Sequence, residues 1–447
     1  MAVAQLSERL PGTLRASLSW SKVHQAFFSI SDQALSVGGM FLVNVALART
    51  RSKEEYGMFA LSYSVLTFLT GLHNAAILET YTVYGSGRYH QRFPEYARLV
   101  WRSNAWLALA LTAVLLLVWR LLSWSSPALA SRSLLGMALA SGVLLTASFI
   151  RQTFYVRRKP ALAARLSVVF FVTVAVLLWV SVRAGVLSGF SAFLIAAFGW
   201  LAAAASMPRE LPGRDASGNF LEFHPNYWPE HWKYARWVFA TALVCQLTTQ
   251  GYYWLVAGIL TLKEVAELRA MYILVGPVDQ LFTALSFLVL PMMAFRYASK
   301  QMGRLLSLWR TYLLICLAVT SGFALLVRIF GGPAIHLIYG GKFDDVAALL
   351  RTLALLPLVL GVGNTINSAL KSIEKPNVVL YGYLASGAAT FLGGIPLVIR
   401  FGLRGAVYGM LLSAGVYSAT LSIGFAACLQ KRPHRVRLGT ANEIGLP

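Results

Sequence analysis

Charged side chains inside long apolar segments are the residues of this chain that could do chemistry. Two aspartates, Asp32 and Asp279, and one arginine, Arg269, lie within runs that are otherwise hydrophobic. Charged groups are costly in a bilayer and usually face a partner charge or a water-filled cavity. We therefore predict that these three residues line a transport site. The alternatives are a structural partnership for each aspartate and anchoring at the membrane surface for Arg269.

Amide and hydroxyl side chains extend this pattern along four of the apolar segments. On the first, second, seventh and eighth segments they recur at helical spacing, so that they share one helix face. Many such groups in membrane helices only bond their own backbone or a neighbouring helix. We nevertheless predict a cavity between these four helices, lined by Asp32, Gln33, Asn44, Asn74, Gln246, Gln250, Arg269 and Asp279.

A coupling cation is the second chemistry that these residues allow. Asp32 and Asp279 could bind a proton or Na⁺, as could Asn364 and Asn367, which share a face of a segment loosened by Pro357. No Walker-type phosphate loop, metal-ligand spacing or catalytic set is recognisable in the chain. We therefore predict no catalytic residue, no bound metal and no cofactor, with H⁺ or Na⁺ as the candidate coupling ion.

The elements that must position these residues are membrane helices. The chain is 57% hydrophobic and 13% charged, with a mean hydropathy of +0.63, whereas soluble domains carry about 25% charged residues. Apolar runs of helix-spanning length recur throughout, which predicts an all-α membrane protein of about twelve transmembrane helices. The net charge of +22 does not indicate nucleic-acid binding, because the basic residues lie in short segments between the apolar runs.

Loop charges predict the orientation of these helices. With the N-terminus inside, 26 of the 39 Lys and Arg residues fall in cytoplasmic segments, which places both termini in the cytoplasm. Six helices per half then give two parallel lobes. The predicted divisions are a cytoplasmic segment 1–24, an N-lobe 25–206, a cytoplasmic linker 207–232, a C-lobe 233–430 and a basic cytoplasmic tail 431–447.

An internal repeat supports the two-lobed arrangement. Lys53-Glu54 returns as Lys263-Glu264, and Lys159-Pro160 returns as Lys375-Pro376, at offsets of 210 and 216 residues. Arg-Tyr at 88–89 and Trp-Arg at 101–102 likewise return at 296–297 and 309–310. Four ordered matches between corresponding apolar runs indicate a duplicated unit. Transporters built from such repeats bind their substrate where the halves meet.

Two stretches resemble a known family. Residues 44–61 contain Ala48-Arg49 followed by Glu55-Tyr56-Gly57, and residues 338–349 contain a Tyr-Gly-Gly-Lys-Phe turn. Together with the Ser-Ile-Glu-Lys-Pro turn at 372–376, these resemble Wzx-type polysaccharide flippases of the multidrug/oligosaccharidyl-lipid/polysaccharide exporter superfamily. The resemblance implies a V-shaped pair of six-helix lobes around a central cavity. Related lipid-linked precursor flippases have cavity arginines on helices 1, 2 and 8, of which only Arg269 on helix 8 has a counterpart here.

The resemblance implies a function. We expect a flippase that moves a polyprenyl-diphosphate-linked oligosaccharide from the cytoplasmic to the outer face of a bacterial inner membrane, by alternating access, for polysaccharide export. Its expected partners are that lipid-linked substrate, membrane lipids, glycosyltransferases and a polysaccharide polymerase. Two alternatives remain open: a cation-coupled multidrug exporter of the same fold, and a membrane glycosyltransferase or polymerase.

Overall fold

The computed structural model describes residues 20–86, 89, 91–125, 131–207 and 227–430, which form twelve helices. In Pro376–Gln430, a φ of 57° at Gly402 divides α11 (376–401) from α12 (403–430). The other helices are α1 (Trp20–Thr50), α2 (Lys53–Ser86), α3 (Phe93–Ser125), α4 (Arg132–Val156), α5 (Pro160–Arg183), α6 (Gly189–Ala205), α7 (Tyr227–Ile259), α8 (Leu262–Ala298), α9 (Met302–Tyr339) and α10 (Asp344–Ser372).

Most of the helices have the length and composition of membrane spans. Eight apolar stretches of the described chain meet both requirements, and the last of these, Pro376–Gln430, contains two helices. Gly189–Ala205 is apolar but shorter, and the 33-residue α7 and 37-residue α8 are long enough to span, since a bilayer core needs about 20 helical residues. α2 contains one π-helical turn, Asn74–Leu78.

The packing of the helices shows the repeat directly. In the first half α1 packs on α5, α3 on α4, α4 on α6 and α5 on α6. The equivalent pairs in the second half, α7 with α11, α9 with α10, α10 with α12 and α11 with α12, are also in contact. The predicted all-α fold of two six-helix lobes is therefore confirmed.

The repeated Lys-Pro dipeptides fold in the same way. Lys159 has φ −116° and ψ 60°, and Lys375 has φ −117° and ψ 53°. Each lysine follows a residue with positive φ, Arg158 or Glu374. Each precedes a proline in the first helical turn, where the missing N–H leaves no helix bond unmade. The sequence repeat thus encodes one recurring turn.

The helix ends differ slightly from the predicted boundaries. α7 begins at Tyr227, so 227–232 of the predicted linker are helical, and α1 begins at Trp20 within the predicted N-terminal segment. The remainder of the linker from 208 to 226, the first 19 residues and the tail 431–447 lie outside the described residues.

Short turns make successive helices antiparallel and give the molecule two ends. We call the end with the α1–α2, α7–α8 and α9–α10 turns the distal end. The opposite end, with Trp20 and Gln430, is the proximal end. The two halves meet mainly where α2 packs against α7 and α8, and α1 also contacts α8. This contact places four of the predicted cavity helices together.

Candidate functional site

The interface between the halves is closely packed along α2. The indole N–H of Trp254 on α7 donates to Ser64 Oγ on α2 at 2.9 Å. Nearer the proximal end of α7, Gln246 packs against Gly71 of α2. Any Cβ at position 71 would overlap the Gln246 amide. The Gln246 Oε1 atom is buried and has no hydrogen-bond partner among the described residues. Gln246 therefore joins α7 to α2, as a contact between the halves.

Arg269 on α8 is the cation at this interface. Its Nε donates to Asn44 Oδ1 on α1 at 3.1 Å, and its guanidinium lies 4.4 Å from the ring centre of Tyr63 on α2. Asn44 is 1% exposed and is oriented by donating from Nδ2 to the Met40 carbonyl oxygen at 2.7 Å. The structure thus brings together the predicted residues Asn44 and Arg269, which are 225 positions apart in sequence.

Tyrosines surround this arginine. Tyr56, Tyr63 and Tyr253 are neighbours of Arg269, and the Tyr56 hydroxyl lies 3.5 Å from Asn44 Oδ1. The Tyr339 hydroxyl donates to the Ala270 carbonyl oxygen beside it at 2.8 Å. Aromatic faces attract a guanidinium but leave its formal charge uncompensated.

No ion pair among the described residues involves Arg269. Its side chain is half-buried, so part of it remains accessible. An arginine within a membrane helix normally pairs with an acid or lines a cavity. The site therefore presents a cation, oriented by an amide and by aromatic rings, that retains the capacity to bind an anion.

Asp279 is two to three helical turns further along α8. It is half-buried, and the Tyr272 hydroxyl donates to its Oδ2 at 3.3 Å. Tyr272 also packs edge-on against Tyr253, with ring centres 6.5 Å apart. A chain of tyrosines therefore connects the Arg269 cation with the Asp279 carboxylate on the wall of the interface.

Asp32 has a different environment from the one that was predicted. It is fully buried inside the N-lobe and receives four hydrogen bonds, from Arg151 Nε at 3.2 Å, Arg151 Nη2 at 2.7 Å, Tyr155 at 2.6 Å and Ser167 at 2.5 Å. These partners lie on α4 and α5 of the same half. A carboxylate held by a bidentate arginine and two hydroxyls has no oxygen left for a coupling ion. The geometry therefore favours the structural alternative for Asp32.

The other predicted cavity residues also lie in different environments. Gln33 is exposed and accepts from Arg151 Nη2 at 3.3 Å, so it belongs with Asp32. Asn74 is exposed at the first position of the π-helical turn of α2, and Gln250 is half-buried on α7 between Gln246 and Tyr253. Neither Asn74 nor Gln250 is brought against Arg269 by a described contact.

The predicted amide pair on α10, Asn364 and Asn367, forms its described hydrogen bonds within the C-lobe. Asn367 Nδ2 donates to the Tyr417 hydroxyl on α12 at 3.2 Å, and its Oδ1 is buried without a hydrogen-bond partner among the described residues. Asn364 is half-buried, and its backbone carbonyl accepts from Ser368 at 3.1 Å. Among the described residues, no hydrogen bond joins the two side-chain amides.

Two charged residues near the interface were not predicted as site residues. Glu79 is exposed on α2, just after the π-helical turn, and interacts electrostatically with the exposed Lys371 on α10. Lys371 belongs to the other half. The only signal for Glu79 in the sequence was an acidic residue near the end of an apolar segment, and α2 continues beyond it to Ser86.

Comparisons with known proteins identify the fold. No family model and no curated protein matches the chain. Among solved structures, an inward-facing multidrug resistance MATE family transporter of the MOP superfamily matches with a TM-score of 0.75 at 12% identity, covering 90% of this chain and 98% of that one. An outward-facing transporter of the same description gives 0.69 at 11% identity, covering 92% and 96%. Lipid II flippase MurJ, in an inward closed conformation, gives 0.69 at 14% identity, covering 90% and 87%.

Proposed function

We propose that this chain, a multi-pass membrane protein with the fold of MOP-superfamily transporters, is a flippase for a polyprenyl-diphosphate-linked oligosaccharide. It carries this substrate from the cytoplasmic to the outer face of a bacterial inner membrane by alternating access. The proposal includes cytoplasmic termini, a non-enzymatic mechanism, and glycosyltransferases and a polymerase as the proteins that supply and consume the substrate.

The observation that carries the proposal is Arg269. A diphosphate would supply the anion that this guanidinium lacks among the described residues, and a guanidinium can hold phosphate oxygens through two parallel hydrogen bonds. Tyr63, Tyr253 and Tyr272 offer flat amphipathic faces beside it. Such faces suit sugar rings, which have apolar faces and hydroxyl edges. The head group would thus exchange water for fixed polar partners, which avoids the cost of unpaired burial.

The helix surfaces on the proximal side of Arg269 suit a lipid substrate. α1 meets α8 at Asn44 and Arg269. Towards the proximal end α1 exposes Phe27 and Ile30, and α8 exposes Met292 and Phe295. Apolar side chains at this depth are compatible with a lipid tail that stays in the bilayer while the head group occupies the interface.

Asp279 is the candidate for ion coupling within this proposal. It is half-buried and accepts from Tyr272 at 3.3 Å, whereas Asp32 is fully buried and receives four hydrogen bonds inside the N-lobe. A carboxylate that binds and releases H⁺ or Na⁺ would change the charge of α8 beside the substrate during each cycle. Neutralisation by Asp279→Asn should therefore remove any dependence of transport on an ion gradient.

The same residue supports a second candidate function. An amphiphilic cation could sit between the Asp279 carboxylate and the faces of Tyr253 and Tyr272, as expected for a multidrug exporter. The similarity to MATE transporters is compatible with this alternative. Deleting the gene distinguishes the two functions, since the flippase proposal requires loss of surface polysaccharide and the exporter alternative requires drug sensitivity.

Arg269→Ala in cells tests the proposal directly. We expect polymer export to be lost while the protein level and membrane insertion stay normal, because the diphosphate loses its cation. Arg269→Lys is the matched control and should retain part of the export, since it keeps the charge without the planar two-pronged donor. Full export by the alanine variant would remove Arg269 from the site and contradict the proposal.

A further inference from the structure

Ion pairs join the two halves at the distal end. Lys53 Nζ on α2 lies 2.7 Å from Glu267 Oε1 on α8 and 2.8 Å from Asp345 Oδ2 on α10. Lys263 Nζ on α8 lies 3.3 Å from Glu54 Oε1 on α2. Both lysines belong to the repeated Lys-Glu dipeptide, and each pairs with an acid of the other half. The repeat has therefore placed reciprocal contacts across the axis that relates the lobes.

The α9–α10 turn closes the same end. Lys342 donates to the carbonyl oxygens of Ala48, Arg49 and Arg51, which have no helical partner at the end of α1. Burial lowers the pKa of the Lys342 ammonium, and the neighbouring charge of Lys53 lowers it further. Lys342 of the second half thus caps the end of α1 in the first half.

Aromatic packing completes this closure. The Phe343 ring is fully buried, with its centre 6.1 Å from that of Tyr56 and Lys53 Nζ 5.2 Å above it. At Gly57, a Cβ would overlap the carbonyl oxygen of Leu262, so the starts of α2 and α8 are in backbone contact. A sugar chain has no passage between helices that touch in this way.

We propose that Lys53, Glu54, Lys263, Glu267, Lys342 and Asp345 form a clasp that holds the distal end shut while the cavity is open proximally, and that opens as a unit for release. Every contact of the clasp joins one half to the other, so a rocking motion of the lobes breaks all of them together. Four of its six residues lie in the stretches 44–61 and 338–349, which carry the family resemblance. This inference rests on the proposed alternating access, but not on the identity of the substrate.

The strengths of the contacts should follow their burial. The side chains of Lys53 and Glu267 are 20% and 13% exposed, whereas those of Lys263 and Glu54 are 60% and 51% exposed. Exposed ion pairs contribute little because water screens both charges. Breaking the Lys53–Glu267 pair should therefore shift the lobes towards the distally open state far more than breaking Lys263–Glu54.

A cysteine beneath the clasp can report its opening. Ala60 is 1% exposed and lies on the face of α2 between Gly57, which meets α8, and Ser64, which meets α7. Ala60→Cys would be placed in the full chain with Cys245, Cys316 and Cys428 replaced by alanine. Labelling by a hydrophilic maleimide is then followed in lipid nanodiscs, where both faces are accessible and no substrate is needed.

We expect Glu267→Gln to raise the labelling rate roughly tenfold, a size typical of coupling between two conformational states. Asp345→Asn should raise it about twofold, because its side chain is more exposed. Asp344→Asn is the matched control, since Asp344 pairs with His336 of its own half at 2.7 Å, and it should leave the rate unchanged.

If gel filtration and thermal melting show that Glu267→Gln is unfolded, the comparison of Asp345→Asn with Asp344→Asn still tests the clasp. Equal labelling rates for Asp345→Asn, Asp344→Asn and the parent would overturn the clasp. Export by Arg269→Ala addresses the substrate separately. The clasp can therefore fail while the flippase function stands, and the reverse also holds.

Discussion

Two arginines in membrane helices illustrate different uses of the same side chain. Arg151 in the N-lobe lies 5.5 Å from the ring centre of Trp200, and Arg269 lies 4.4 Å from that of Tyr63. Arg151 forms two hydrogen bonds to the carboxylate of Asp32. Arg269 has the neutral oxygen of Asn44 instead. The comparison supports a structural role for Arg151, and it is consistent with the proposed role of Arg269 in binding an anionic ligand.

The largest expected effect on stability comes from removing the Arg151 partner. Asp32→Asn leaves a guanidinium that is only 20% exposed without its counter-charge. Loss of one member of a buried ion pair costs about 3 kcal/mol or more. We expect thermal unfolding of the detergent-solubilised protein to show this loss. An unchanged melting temperature would mean that the pair is not structural.

A smaller effect is expected when Arg269 is given the partner that Arg151 has. Asn44→Asp places a carboxylate beside Arg269 Nε, where it competes with an anionic substrate. Export should fall about tenfold, equivalent to ~1.4 kcal/mol, while the protein stays folded. Asn44→Ser serves as a control that removes the amide without adding charge. If export by Asn44→Asp equals that of the serine variant, the added charge does not matter.

The smallest effect is expected when both members of the N-lobe pair are replaced. Asp32→Leu with Arg151→Leu removes both buried charges, and such replacements are often close to neutral. The hydroxyls of Tyr155 and Ser167 lose their acceptor, at about 1 kcal/mol each. We expect the double variant to melt above Asp32→Asn and to export polymer. Loss of export from a stable double variant would return Asp32 to the transport mechanism.

The general architecture could be predicted from the sequence because its causes are local. Apolar length and loop charge define the helices, and the repeated Lys159-Pro160 and Lys375-Pro376 fold as identical turns. The contact between Asn44 and Arg269 also agrees with the predicted cavity of α1, α2, α7 and α8. Hydrophobic patterning specifies which helix faces are polar, but several polar faces point into a lobe rather than between lobes.

The pairing of individual charges could not be predicted because it depends on tertiary packing. Arg151 lies 119 residues from Asp32, and no local pattern links the two residues, so its role as a counter-charge could not be predicted. Gln246 has the composition of a cavity residue but packs over Gly71. Lys53 and Lys263 were informative only as a repeat until the structure showed their acids in the opposite halves.

The central claim is that Arg269 binds an anionic head group, and a measurement of substrate affinity tests it most directly. Purified protein in nanodiscs would be titrated with a polyprenyl-diphosphate-linked oligosaccharide, with the same lipid lacking phosphate as the neutral control. We expect Arg269→Ala to weaken binding of the diphosphate lipid roughly 10- to 100-fold, as for a lost hydrogen bond to a charged group. Its melting temperature should stay near that of the parent. Equal affinity of parent and variant for the diphosphate lipid would contradict the account.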